Sequence, residues 1–282
     1  MRVLITGASG FSGRALYKSL SEKKSCELFT SDMVSTAKLN NYTRCDLLDQ
    51  KNVNALLLKV KPDFIYHLAG TFSNEYERDY AANVLVPKNI LEVVTEVAKE
   101  CRVMLIGSAA EYGIVANSEN PIKETRALRP ASVYGLTKVY QTYLMKYYFN
   151  AFDLDIIMAR PFNFYGEGMS DTQFVGRVYR QIRALKKGEI KKITVGNLDS
   201  GRDYIPIDDT VKHYITIMER GKKGEIYNVG NGVPMKTGVL LNKILDEENV
   251  DSKFIEVAKS ERDNIYDVSQ VYADIEKLKE LG

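Results

Sequence analysis

Thr6-Gly7-Ala8-Ser9-Gly10-Phe11-Ser12-Gly13 is the stretch that decides the fold. Before it, Arg2 to Ile5 reads as an apolar strand, and after it Arg14 to about Glu22 reads as an amphipathic helix. A G-x-x-G-x-x-G turn between strand and helix is the context in which such a turn holds the pyrophosphate of a dinucleotide. Glycine removes the Cβ that would block close approach, and the helix N-terminus offers free N–H groups and a positive dipole end.

Working outward, short apolar runs alternate with longer periodic ones. Glu27-Ser31, Phe64-Leu68, Val103-Gly107, Asp155-Arg160, Ile193-Val195 and Ile226-Val229 read as strands, and Val53-Leu58, Asn89-Ala98 and Tyr134-Phe152 as helices. Alternation of this kind predicts βαβ units on a parallel sheet, hence an α/β, doubly wound Rossmann fold. The dinucleotide-binding domain is expected over 1–160, with 204–230 returning to it, and a smaller substrate-binding lobe over 161–282. The last residues, Glu280-Leu281-Gly282, read as a helix with its C-cap, so a short further tail is expected.

Composition narrows the function classes. Lys and Arg number 39 against 37 Asp and Glu, so no long-range field favours nucleic acid or an anionic membrane. Cys26, Cys45 and Cys101 are scattered without C-x-x-C spacing, and His67 and His213 are the only imidazoles, so neither a disulfide framework nor a metal site is expected. No apolar run is long enough to span a bilayer, and the start lacks the basic and apolar regions of a leader. A cytoplasmic enzyme is expected.

Asp32 ends the second apolar run about twenty residues beyond the glycines, where a carboxylate can accept the adenosine ribose hydroxyls and repel a 2′-phosphate. Its alternative is a solvated loop aspartate. NAD(H) is therefore favoured, NADP(H) remaining possible. Asp46, in Cys45-Asp46-Leu47, suits either a helix cap or an adenine contact. His67-Leu68-Ala69-Gly70 closes a third strand at the carboxyl edge of the sheet, with His67 reading as core.

After the fourth strand stands Ser108, and twenty-six residues later Tyr134-Gly135-Leu136-Thr137-Lys138. Tyr and Lys four apart on a helix share a face, so the ammonium can sit beside the phenol and favour its anion. Ser108 can then hold the reacting oxygen while Tyr134 gives or takes its proton.

With these residues in place, the chain resembles the extended short-chain dehydrogenase/reductases that act on nucleotide sugars. The resemblance includes Gly7, Gly10, Gly13, Asp46-Leu47, His67-Leu68-Ala69, Ser108, Tyr134, Lys138 and Arg160-Pro161-Phe162-Asn163-Phe164-Tyr165-Gly166. Gly196-Asn197-Leu198-Asp199-Ser200-Gly201-Arg202-Asp203-Tyr204 is similar to a segment of GDP-mannose 4,6-dehydratases and the related GDP-4-keto-6-deoxymannose reductases. The resemblance implies a homodimer through the helices near Asn89-Lys99 and Tyr134-Phe149. It also implies cofactor contacts from Phe11, Ser12, Leu47, Ala69 and Pro161, and a nucleotide-diphosphate sugar near Asn163, Phe174, Val175, Arg177, Asn197 and Arg202. Arg202 has a case of its own, because a guanidinium fork matches phosphate oxygens; the alternative is a salt bridge to Asp203 or Asp199. Lys186-Lys187 and Lys191-Lys192 read as a solvated helix end.

Dehydratases of this family carry a Glu as second acid/base where Ala110 stands. If the segment is extended, Ala110 faces the site with Ser108 and Glu111 points away. One proton-transfer group then remains, which favours reduction at C4 of a 4-keto nucleotide sugar, with GDP the expected nucleotide. A C4 epimerase or a 4-dehydrogenase is the nearest alternative, ahead of a 4,6-dehydratase or a non-catalytic sensor.

Overall fold

In the computed structural model, residues 1–23, 25–34, 39–258 and 270–282 are described. The first unit is β1 (Arg2–Thr6), the glycine turn and α1 (Phe11–Ser21), followed by β2 (Glu27–Asp32), β3 (Tyr42–Arg44) and α2 (Gln50–Val60). Next come β4 (Phe64–His67), α3 (Tyr76–Tyr80), a π-helical turn at Ala81–Leu85, α4 (Val86–Val97), β5 (Arg102–Ile106) and a 3₁₀ turn at Ala109–Tyr112. The long α5 (Val133–Phe152) then leads into β6 (Ile156–Pro161).

Seven parallel strands form the central sheet, in the order β11-β6-β5-β4-β1-β2-β3, where β11 is Ile226–Val229. Both faces of this sheet are buried, which is why its central strands read as unbroken apolar runs. Successive side chains feed opposite cores. Leu4, Ile65, Val103 and Met158 join Val53, Leu91 and Met145 of α2, α4 and α5. Val3, Ile5, Tyr66, Met104 and Ala159 instead meet Leu16 of α1 and Tyr214 and Met218 of α7 (Ile207–Arg220). The chain reverses its direction of sheet growth between β1 and β4, and at such a switch point a crevice opens beyond the carboxyl ends of the strands.

Beyond β6 the pieces are shorter: β7 (Asn163–Tyr165), α6 (Phe174–Lys186), β8 (Ile193–Val195), β9 (Gly201–Arg202), β10 (Tyr204–Pro206), β12 (Met235–Lys236), α8 (Thr237–Glu247), β13 (Ile255–Val257), β14 (Gln270–Val271) and α9 (Glu276–Lys279). Ile193–Val195 pairs with β13 in a sheet of its own, outside the central one. A third apolar cluster packs Val178 and Ile182 of α6 against Leu240 and Ile244 of α8. Lys186 is exposed at the end of α6, as a solvated helix end should be, and its ammonium pairs with Glu248 at 2.5 Å. No helix among the described residues is long and apolar enough to cross a membrane.

Candidate active site

A cleft of about 590 Å³ runs along the carboxyl edge of the sheet, lined at one end by Ser12, Leu68, Ala69, Ser108, Tyr134, Lys138 and Pro161. Asn163, Phe174, Val175, Arg177 and Arg202 line the other end.

At the glycine turn, Gly7 has φ +69°, and a Cβ there would lie 2.5 Å from the backbone nitrogen of Ala69. A Cβ on Gly13 would lie 2.2 Å from the Gly7 carbonyl oxygen. These two glycines let the turn press against β4 and against itself. Gly10 is the N-cap of α1 and supplies no side-chain cap, and the first turn of the helix carries no acid. Its end N–H groups are thus left for an anion arriving from the cleft, where Ser12 stands. Phe11 turns its ring onto Phe164 at 6.0 Å.

Asp32 accepts hydrogen bonds from the Ser9 amide at 3.0 Å, the Ser9 hydroxyl at 2.5 Å and the Met33 amide at 2.7 Å. The carboxylate is thus fixed against the glycine turn. Two guanidiniums flank this region through carbonyls, Arg14 on Ser9 at 2.5 Å and Arg44 on Met33 at 3.1 Å. Neither followed from reading along the chain, because both reach the turn through space. Asp46 does not cap α2. That role belongs to Asp49, which accepts from the Lys51 amide, while Asp46 closes a tight turn on the Leu48 amide at 3.0 Å. Leu47 is 5% exposed and packs in the core beneath.

Ser108 sits at the end of β5 and caps the 3₁₀ turn, its hydroxyl accepting from the Ala110 amide at 3.1 Å. Because Ala109–Tyr112 is a 3₁₀ turn, the expectation of an extended segment fails. Ala110 still lines the cleft, and Glu111 still turns away from it. The destination of Glu111 is the main thing the sequence reading missed. It is fully buried, accepts from the Ser108 amide at 2.8 Å, and forms an ion pair with buried Arg160 at 2.8 Å. Thr142, one turn beyond Lys138 on α5, donates to the same carboxylate at 2.5 Å. Arg160 also donates to Tyr112, whose hydroxyl donates to Asn228 at 2.7 Å. A signal did exist: Ser108-Ala109-Ala110-Glu111 is a capping-box sequence, and the box forms.

Tyr134 and Lys138 lie on the first two turns of α5, which Ser132 caps by accepting from the Gly135 amide. The Lys138 ammonium is 5.9 Å from the Tyr134 ring centre and donates to the Ile106 carbonyl at 2.8 Å and to Gln141 at 3.0 Å. Burial pushes this lysine down to about 8, while the charges of Glu111 and Asp79 act to keep it protonated. The phenol departs from the expected stabilised anion. Burial pushes Tyr134 up to about 12, a hydrogen bond with Ser108 draws it back, and the charges of Glu111 and Asp79 raise it. Here desolvation outweighs the Ser108 hydrogen bond, and the phenol is kept protonated. His67 is core as read: 1% exposed, with Nδ1 shared with the Thr6 hydroxyl at 2.7 Å.

Facing Tyr134 edge-on at 4.8 Å is Phe72, carried on a loop moulded from below. Buried Asp79 accepts from the Ser73 and Asn74 amides, and Asn83 of the π turn brackets Thr71 by both its amide and its carbonyl. Asn83 also reaches Thr137 at 3.1 Å, beside Lys138.

At the far end, Arg177 is exposed and donates to the Thr172 carbonyl at 2.8 Å, and half-buried Arg202 donates to the Gly201 carbonyl at 2.8 Å. Asp203 does not serve as a surface partner for Arg202. It is fully buried, and its carboxylate accepts the amides of Asn231, Gly232 and Ala273. Asp199 pairs with Lys236 at 3.4 Å. Asn197 does not line the cleft; it is exposed, and its carboxamide oxygen accepts from the Asp199 amide.

Residues 3–230 match the NAD dependent epimerase/dehydratase family. The chain belongs to that family. Among its members, a GDP-6-deoxy-D-mannose reductase of Pseudomonas aeruginosa is 28% identical over 261 residues, covering 90% of this chain and 83% of that protein. A GDP-6-deoxy-D-talose 4-dehydrogenase of Aggregatibacter actinomycetemcomitans is 30% identical over 237 residues, covering 83% of this chain and 75% of the relative. The solved structure of RMD from Pseudomonas aeruginosa complexed with NADPH superposes with a TM-score of 0.85 at 25% identity, covering 100% of this chain and 92% of that one. The protein is thus an NAD(P)-dependent enzyme of the extended short-chain dehydrogenase/reductase type, with relatives that act on nucleotide sugars.

Proposed function

We propose that this enzyme reduces the C4 keto group of a nucleotide 4-keto-6-deoxy sugar, with GDP as the nucleotide. The carrying observation is the single proton-transfer group at the reacting end. Tyr134 stands with Ser108 and Lys138, Ala110 occupies the place of a second acid, and the Glu111 carboxylate is tied to Arg160. Water elimination needs a second acid/base, whereas ketone reduction needs one proton. Bound NAD(P)H supplies the hydride. Tyr134 donates its proton to the C4 oxygen, the Ser108 hydroxyl holds that oxygen, and the Lys138 ammonium stabilises the phenolate left behind. Arg177 and Arg202 suit the diphosphate, which a chain with a formal net charge of +2 must hold by local contacts.

The same groups run the reverse direction, so a 4-dehydrogenase is the second reading; the talose-enzyme relative favours it. Incubation with a GDP-4-keto-6-deoxyhexose and NADH decides. Stoichiometric cofactor oxidation supports reduction, while no oxidation of NADH, together with interconversion of the C4 epimers of the 4-hydroxy GDP-sugar by the NAD-loaded enzyme, supports an epimerase and overturns it. In the same assay the fixed Asp32 carboxylate gives NADH an advantage of about tenfold over NADPH. Equal efficiency would remove Asp32 from the ribose site. The exposed Tyr143 and Tyr147 on α5 and Val97 on α4 support the homodimer, which light scattering tests by mass.

A further inference from the structure

Two fully buried polar atoms in residues that line the cleft have no hydrogen-bond partner among the described residues, the Oη of Tyr214 and the Nε2 of His67. His67 at least satisfies its other nitrogen through Thr6. Tyr214 has one polar side-chain atom and leaves it unsatisfied. Its ring belongs to the core between the sheet and α7, packed with residues such as Val3, Ile5 and Ala159, where a phenylalanine would fill the same space without desolvating a hydroxyl. The hydroxyl therefore gains a role only when a polar group of a ligand enters the cleft.

The position of Tyr214 says which ligand. Ser12 at the head of α1, Leu68, Pro161, Phe164 and Tyr214 line one cleft together with Tyr134. Tyr134 is close enough that its charge would raise Tyr214 beyond the effect of burial. A dinucleotide with its pyrophosphate at the head of α1 must bring its hydride-bearing ring within reach of a carbon whose oxygen is at Tyr134. Tyr214 lines the same cleft as both Ser12 and Tyr134. The one polar substituent of the nicotinamide ring is its carboxamide, which can both donate to and accept from a phenol.

We propose that the Tyr214 hydroxyl binds the nicotinamide carboxamide and anchors that end of the cofactor. The assignment rests on the cofactor class alone and is independent of the sugar. Calorimetric titration of the Tyr214→Phe variant with NADH and with ADP-ribose, which lacks the nicotinamide, tests it. Loss of one such hydrogen bond weakens NADH about tenfold and leaves ADP-ribose unchanged. Thermal unfolding without ligand gives a melting temperature no lower than that of the parent, because no protein hydrogen bond is removed. Unchanged NADH affinity, equal weakening of both ligands, or a lowered ligand-free melting temperature would each overturn the assignment.

Discussion

The two ends of the cleft are built by different means. At the reacting end the parts are held by backbone contacts and buried charge. Gly7 and Gly13 leave no room for a Cβ, Glu111 ties Ser108 to α5 and to β6, and Lys138 is 5% exposed. At the far end, Arg177 and Arg202 reach into the cleft from α6 and from the two-residue strand β9, one exposed and one half-buried. Changes at the first end should alter turnover or folding. Changes at the second should alter affinity and leave the fold intact.

The sharpest break in this contrast is Tyr134→Phe, which removes the proposed proton donor and almost no volume. Turnover should fall about a thousandfold while NADH titrates as in the parent. Retention of a tenth of normal turnover would place the acid elsewhere.

Next in size is Glu111→Ala. It leaves the Arg160 guanidinium buried without its partner and should cost about 3–5 kcal/mol of stability. Denaturant unfolding measures this loss, with Glu219→Ala as a control. Glu219 pairs with Lys23 on the surface at 3.0 Å and should change nothing measurable. Equal, small effects would mean that the buried pair is not a keystone.

A third test uses pH. Lys138 is pushed below its ordinary value to about 8. Its folded form therefore binds fewer protons than the unfolded chain between about pH 8 and the usual lysine range. The burial cost of the ammonium is full below about pH 8 and is relieved as pH rises. Catalysis should have the opposite sign, because the proposed mechanism uses the ammonium. The ratio kcat/KM should fall tenfold per unit above about pH 8, with Tyr134, at about 12, still protonated. A flat profile to pH 10 would show that the charge of Lys138 is not required.

The mildest effect is expected of Arg202→Ala, a rise of about tenfold in KM for the sugar nucleotide with kcat held, since diphosphate contacts serve ground and transition states alike. A fall in kcat at constant KM would move Arg202 to the reacting end.

What the sequence disclosed follows the same division. β1, the glycine turn and α1 were legible because close backbone approach demands particular residues in a fixed order. The central strands were legible because two buried faces demand unbroken apolar runs. β3 was not, since Tyr42-Thr43-Arg44 lies at the sheet edge and is half polar. Nor were β9, β12 and β14, two-residue strands whose pairing depends on distant segments. At the site, Ser108, Tyr134 and Lys138 announced themselves by spacing. Asp79 and Asn83 did not, because their role depends on the five-residue α3 and on the π turn after it, neither of which has a sequence signature. Arg14 and Arg44 act through folds of the chain that linear distance conceals.

The Glu111–Arg160 pair has a consequence for the order in which the enzyme assembles. The partners are 49 residues apart, and the Tyr112–Asn228 bond that extends the network spans 116. Closing loops of that length costs chain entropy before any contact repays it. A nascent chain carries Glu111 well before Arg160 is made, and until β6 docks the acid has no counter-charge and stays solvated. The segment bearing Ser108 therefore takes its shape only after the sheet has closed beyond β5, so proton-transfer geometry arrives late in folding.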